Sequence, residues 1–167
     1  MRRIQMLLVL AAVVSASLTG STNASDGWTA SPYNAAQGDW PHWRGPEMNG
    51  ISREKGLPDS WDPDTGENVL WENKELGSRS TPIIMNGKLY LLTRDRAGTE
   101  HEGEKVVCAD AATGKVLWEN RFNVYLSDVP DTRVAWSCVS GDTETGNVFA
   151  LGVCGLFQCI DGETGKT

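Results

Sequence analysis

The chain has 167 residues, a formal net charge of −7, 40% hydrophobic and 22% charged residues. That length gives room for one domain of ordinary size. An acidic balance with scattered Lys and Arg excludes a nucleic-acid or anionic-membrane surface, which needs clustered basic residues. Met1–Ala24 reads as an export signal: Arg2 and Arg3 start it, Met6–Val14 is uninterruptedly apolar, and small residues follow. Cleavage after Thr22-Asn23-Ala24 would leave Ser25 at the mature N-terminus, the alternative being an uncleaved anchor. The apolar stretch is too short to span a bilayer. Leu18-Thr19-Gly20-Ser21 has Ser where a lipoprotein signal needs an acylated Cys. An exported protein, neither lipidated nor membrane-spanning and either periplasmic or extracellular, is expected.

Residues 25–67 form an N-terminal extension. Ser25–Asp39 is small and polar, a flexible lead. Trp40-Pro41-His42-Trp43-Arg44-Gly45-Pro46 has too much Pro and Gly for a helix or central strand. Aromatic and cation–π contacts would pack this loop down, with His42, Trp43 and Arg44 lining a ligand site as the alternative. Asp62-Pro63-Asp64-Thr65-Gly66-Glu67 lacks the third acidic position and the distal Glu of a calcium loop, so turn chemistry explains it.

From residue 68 the pattern is β throughout. Asn68–Glu72 alternates as a strand, Val69 and Trp71 on one face and Leu70 on the other. Ser80–Met85, the Asn86-Gly87 turn and Lys88–Thr93 make a hairpin of the strongest sequence type. A charged, exposed loop over Arg94–Gly103 leads to strands Lys105–Asp110 and Lys115–Asn120. After the long connection Phe122–Arg133, strands are expected over Val134–Val139, Asn147–Val153 and Leu156–Asp161. Their turns are Gly141–Gly146 and a two-residue hairpin centred on Cys154-Gly155.

A phrase repeats within this pattern. Cys108, Ala109, Asp110, Thr113, Gly114 and Lys115 are followed by Val116-Leu117-Trp118-Glu119. Cys159, Asp161, Thr164, Gly165 and Lys166 return at the same spacing, and Asp64-Thr65-Gly66-Glu67 with Val69-Leu70-Trp71-Glu72 precedes them as a partial copy. A period of roughly 50 residues suits four short strands per unit. The Ala-x-Asp-x-x-Thr-Gly-Lys-x-x-Trp phrase resembles the repeat of the pyrroloquinoline-quinone-type (PQQ-like) β-propellers. The Trp-Pro-x-Trp-Arg-Gly-Pro opening and Gly56-Leu57-Pro58 are similar to the N-termini of exported members.

That resemblance implies an all-β propeller of four-stranded antiparallel blades over 68–167: a closing strand at 68–72, blade one at 80–120 and an incomplete blade two at 134–167. About two blades leave the ring open, so an N-terminal part of a longer propeller is expected. Trp71 and Trp118 share one repeat position and are expected to pack between blades.

The resemblance covers both quinoprotein dehydrogenases and non-enzymatic envelope propellers. The enzymes implied by it grip pyrroloquinoline quinone with an adjacent Cys pair and a stacking Trp, and add calcium held by Glu and Asn. The chain has no adjacent cysteines, and Trp136 is the sole aromatic placed on an inner strand. No quinone, calcium or other cofactor is therefore expected here, and no zinc spacing is present. Cys108, Cys138, Cys154 and Cys159 are expected to be free, buried thiols. The expected function is a binding or scaffolding module of the cell envelope, with protein partners on the loops Arg94–Glu104 and Asp128–Arg133. The alternative is the N-terminal part of a quinoprotein alcohol or sugar dehydrogenase.

Overall fold

The computed structural model describes residues 35–124 and 133–167. The export signal Met1–Ala24, most of Ser25–Asp39 and all of Asp128–Arg133 except Arg133 lie outside the described residues. The described chain is all-β, in two antiparallel sheets, with one 3-10 turn at Lys74–Leu76. Sheet one is built in chain order from β1 (Ile83–Met85), β2 (Lys88–Asp95), β3 (Gly103–Asp110) and β4 (Val116–Asn123). Sheet two follows as β5 (Ser140–Gly141), β6 (Asn147–Leu151) and β7 (Phe157–Asp161).

Local chemistry accounts for most of these elements. Asn86 and Gly87 both take positive φ, 54° and 71°, which lets a two-residue turn match the strand twist and pair Met85 with Lys88. Leu91-Leu92 and Val106-Val107-Cys108 are buried consecutively because both faces of sheet one are covered. One face meets sheet two: Ile83, Met85, Tyr90, Leu92, Val106 and Cys108 pack with Val139, Val148, Ala150 and Ile160 in a single core. A strap joins the two sheets along their first strands. Trp40 pairs with Ile84, and the Gly141 N–H donates to the Pro41 carbonyl at 2.7 Å.

Several sequence expectations are corrected. β2 runs on to Asp95 and β3 begins at Gly103, so the exposed part of the loop shrinks to 96–101. Asn68–Glu72 is not in a sheet: Asn68 has φ 54° and the Val69 N–H turns back to the Gly66 carbonyl at 3.2 Å. Val134–Val139 is not a strand either. Ala135 has φ 58°, and its N–H is captured by Glu104 Oε1 at 2.7 Å, leaving only Ser140–Gly141 to pair with β6. The β6–β7 hairpin has a three-residue loop. Gly152 N–H donates to Leu156 O, and Gly155 takes φ 84°, so Cys159 stands opposite Phe149 rather than Ala150.

Candidate functional site

The repeated phrase folds into one local structure. Asp110 Oδ1 accepts from the Thr113 N–H at 2.8 Å and the Thr113 hydroxyl at 2.7 Å; Asp161 Oδ1 accepts from Thr164 at 2.7 and 2.9 Å. The main chain closes behind them, with Gly114 and Gly165 N–H groups donating to the carbonyls of Asp110 and Asp161 at 2.8 Å. Lys115 and Lys166 are exposed and contribute their carbonyls, which accept from the Asp110 and Asp161 N–H groups at 2.9 Å. Ala109 precedes the turn, fully buried in β3. The partial copy at 62–67 proves to be a full one, and a further copy at 142–146, read from the sequence only as a turn, joins it. Asp142–Gly146 and Asp62–Gly66 are also Asp-x-x-Thr-Gly, and each closes with the same 2.8 Å Gly-to-Asp bond. All four aspartates are held below the ordinary carboxylate range by hydrogen bonds from the turn they close.

Two of these turns receive an indole. Trp71 Nε1 donates to the Ala111 carbonyl at 2.9 Å, and the Asn73 amide donates to the Gly114 carbonyl at 3.0 Å. Trp118 Nε1 donates to the Gly162 carbonyl at 3.0 Å, and the Asn120 amide to the Gly165 carbonyl at 2.8 Å. The rings lie so close over the glycines that an added Cβ would stand 2.5 Å from Trp71 at Gly114 and 2.6 Å from Trp118 at Gly165. Trp118 thus leaves sheet one to seat on the β7 turn of sheet two, touching Tyr90 at a centroid distance of 5.9 Å. Asn73 and Asn120 were missed in the sequence, although Trp-Glu-Asn stands at 71–73 and again at 118–120.

The far end of sheet one carries charge. Glu102 is buried and ion-paired with Arg94, and it accepts the Gly98 N–H at 2.9 Å. The Arg94 hydrogen bond outweighs burial and holds its carboxyl low. At Asp95 burial pushes upward, but the hydrogen bonds of Arg96 and Arg121 prevail and lower it. The exposed residues 96–101 therefore stand on two fixed, ionised carboxylates. Beside them Arg96, Glu100, His101, Glu102, Asn123 and Val124 line a polar cleft of about 220 Å3. Glu104, 1% exposed, reaches into the second unit, accepting from Ala135 N–H with Oε1 and from Val153 N–H with Oε2, at 2.7 and 2.9 Å.

The remaining candidates are dispersed. Trp136 is 57% exposed, with the Arg133 guanidinium 5.9 Å from its ring centroid. His42 Nδ1 lies 2.7 Å from Ser140 Oγ, and burial pushes its pKa down, so the ring is neutral at pH 7. Arg44 covers Trp43 at 5.6 Å. The four cysteines are free, but only Cys108 is buried; Cys154 and Cys159 are exposed and Cys138 half-buried. Cys159 alternates with the buried Ile160 along β7 and so lies on the face turned away from the shared core. Among the described residues no three His, Cys, Asp or Glu side chains converge to hold a metal ion, and no helix is long and apolar enough to cross a membrane. Comparison with protein-family models, curated proteins and solved structures finds no match to this chain.

Proposed function

We propose that this chain is an exported PQQ-like β-propeller repeat protein that acts as a binding or scaffolding module of the cell envelope. The two sheets are then successive blades, and the indole latches are the blade-to-blade contacts. The observation that carries the binding role is the loop at 96–101, presented beside a polar cleft and braced by buried Asp95 and Glu102. A rigidly based polar loop loses little conformational entropy on docking a protein surface. The latches support the architecture: the same Trp and Asn pair reaches the same kind of turn twice.

The test is site-specific photo-crosslinking from Glu100, with Lys115, exposed at the opposite end of the sheet, as the control position. Discrete protein adducts from Glu100 alone are expected in the cells that export the protein. Pyrroloquinoline quinone and calcium are added in parallel while Trp fluorescence and dye-linked alcohol oxidation are followed. Saturable quenching with turnover, and no adducts, would replace this reading with the quinoprotein dehydrogenase and direct mutation to Trp136.

A further inference from the structure

The contacts that hold the strap at residues 39–42 divide between the two sheets. On the sheet-one side, Trp40 N–H donates to the Ile84 carbonyl at 2.7 Å and Ile84 N–H donates back to the Trp40 carbonyl at 3.0 Å. Asp39 Oδ1 adds a bond from Asn86 N–H at 3.0 Å. On the sheet-two side, Gly141 N–H donates to the Pro41 carbonyl and His42 Nδ1 meets Ser140 Oγ, both at 2.7 Å. A titratable ring thus supplies half of the strap's polar hold on β5. Whichever tautomer the neutral ring adopts, protonation makes both nitrogens donors and puts a positive charge on a half-buried side chain. The charged groups of the elements around it are engaged elsewhere. In the strap and its loop, buried Asp39 is turned to Asn86, Arg44 covers Trp43, and Glu47 pairs with Arg53. Next to β1, Lys88 pairs with Glu163. Beside β5, Asp142 is bound by the Thr145 hydroxyl at 2.6 Å, and Cys138 is a half-buried free thiol. Among the described residues no carboxylate forms an ion pair with His42, and burial alone moves its pKa.

We propose that residues 39–42 form an acid-released clasp, which lets go of β5 in mildly acidic solution while its bonds to β1 and the two sheets persist. The β1 half rests on two backbone bonds, which do not titrate. The sheets stay together because their shared core contains no strap residue. Gly141 itself lies against sheet one, where an added Cβ would stand 3.1 Å from Met85 Sδ. The direction of the switch follows from the ring's surroundings. Burial holds the folded pKa below the ordinary 6.5. The closed clasp is therefore favoured above about pH 6.5 and loses that advantage as pH falls toward the folded value. The turn aspartates titrate below about pH 4, so their effect is separate. His101, the chain's other histidine, stands exposed on the loop at 96–101 and makes no bond to the strap. The clasp does not depend on the function proposed above.

The experiment is native-state hydrogen exchange by NMR on the whole chain between about pH 7.5 and about pH 5, each rate corrected for the intrinsic pH dependence of exchange. Gly141 N–H is expected to lose about threefold or more in protection over that range, while Ile84 N–H keeps its own. In the same samples the His42 ring proton resonances are expected to titrate with a midpoint below 6.5. His42→Gln keeps a polar partner for Ser140 and removes the titration, so its Gly141 protection should be the same at both ends of the range. Circular dichroism confirms that this variant retains its β-structure; if it does not fold, the ring midpoint in the unaltered chain decides. Equal Gly141 protection at both pH values would overturn the proposal, as would a ring midpoint at or above 6.5. So would the same loss in His42→Gln, or a loss at Ile84 matching that at Gly141, which would mean general loosening of the sheets.

Discussion

At a left-handed glycine the same substitution has two different costs, depending on what lies above it. Gly146 and Gly165 have φ 75° and 72°, but only Gly165 carries an indole. Alanine in this conformation costs about 1–2 kcal/mol, so Gly146→Ala should lose about that much. Gly165→Ala must also displace Trp118, which adds about 1–3 kcal/mol of overpacking, and chemical denaturation should resolve the difference. The turn aspartates make a second residue-scale prediction. Their folded pKa values lie below the unfolded value, so they contribute stability above about pH 4 that is lost as pH falls further. Asp110→Asn should flatten the acid limb of the stability profile, because the amide oxygen still accepts from Thr113 but no longer titrates. The aspartate turns were legible in sequence because Asp, Thr and Gly act on neighbouring backbone. The indole acceptors were not, since Trp118 and Gly162 are 44 residues apart and nothing local names a carbonyl.

Among elements, β3 ties sheet one to the segments that flank the strands of sheet two. Glu104 sends one oxygen to Ala135 and the other to Val153, and both N–H groups would otherwise be left without this partner near the core. Glu104→Gln keeps the volume but turns one acceptor into a donor facing an N–H. A loss of about 1–3 kcal/mol is expected, read from the urea midpoint. Gly152 belongs to the same joint, since a Cβ there would stand 2.8 Å from Glu104 Oε2. This joint explains where strand reading failed. Val134–Val139 has the alternation of a strand, but a buried carboxylate from another strand took the Ala135 N–H. Asn68–Glu72 has strand composition but pairs with no strand among the described residues, so composition alone could not place it in a sheet. By contrast β2, β3 and β4 were readable, because turn chemistry and apolar runs agreed at every step.

Over the whole molecule, the two sheets differ in what covers them. Sheet one is covered on both faces, whereas Phe157, Leu151 and Cys159 are exposed on sheet two, with Phe149 stacked on Phe157 at 6.0 Å. An open apolar face of this kind promotes association. Phe157→Lys should leave the denaturation midpoint nearly unchanged while lowering concentration-dependent light scattering. The latches have one more consequence, which concerns time. Each indole is synthesised before the carbonyl that receives it, Trp71 by 40 residues and Trp118 by 44. At ribosomal rates of roughly 5–20 residues per second, each waits roughly 2–9 seconds for its seat to be made. At each of the two latches the chain therefore passes through a stage with its tryptophan made and not yet seated. A chaperone that recognises an exposed indole would meet the same handle at both latches.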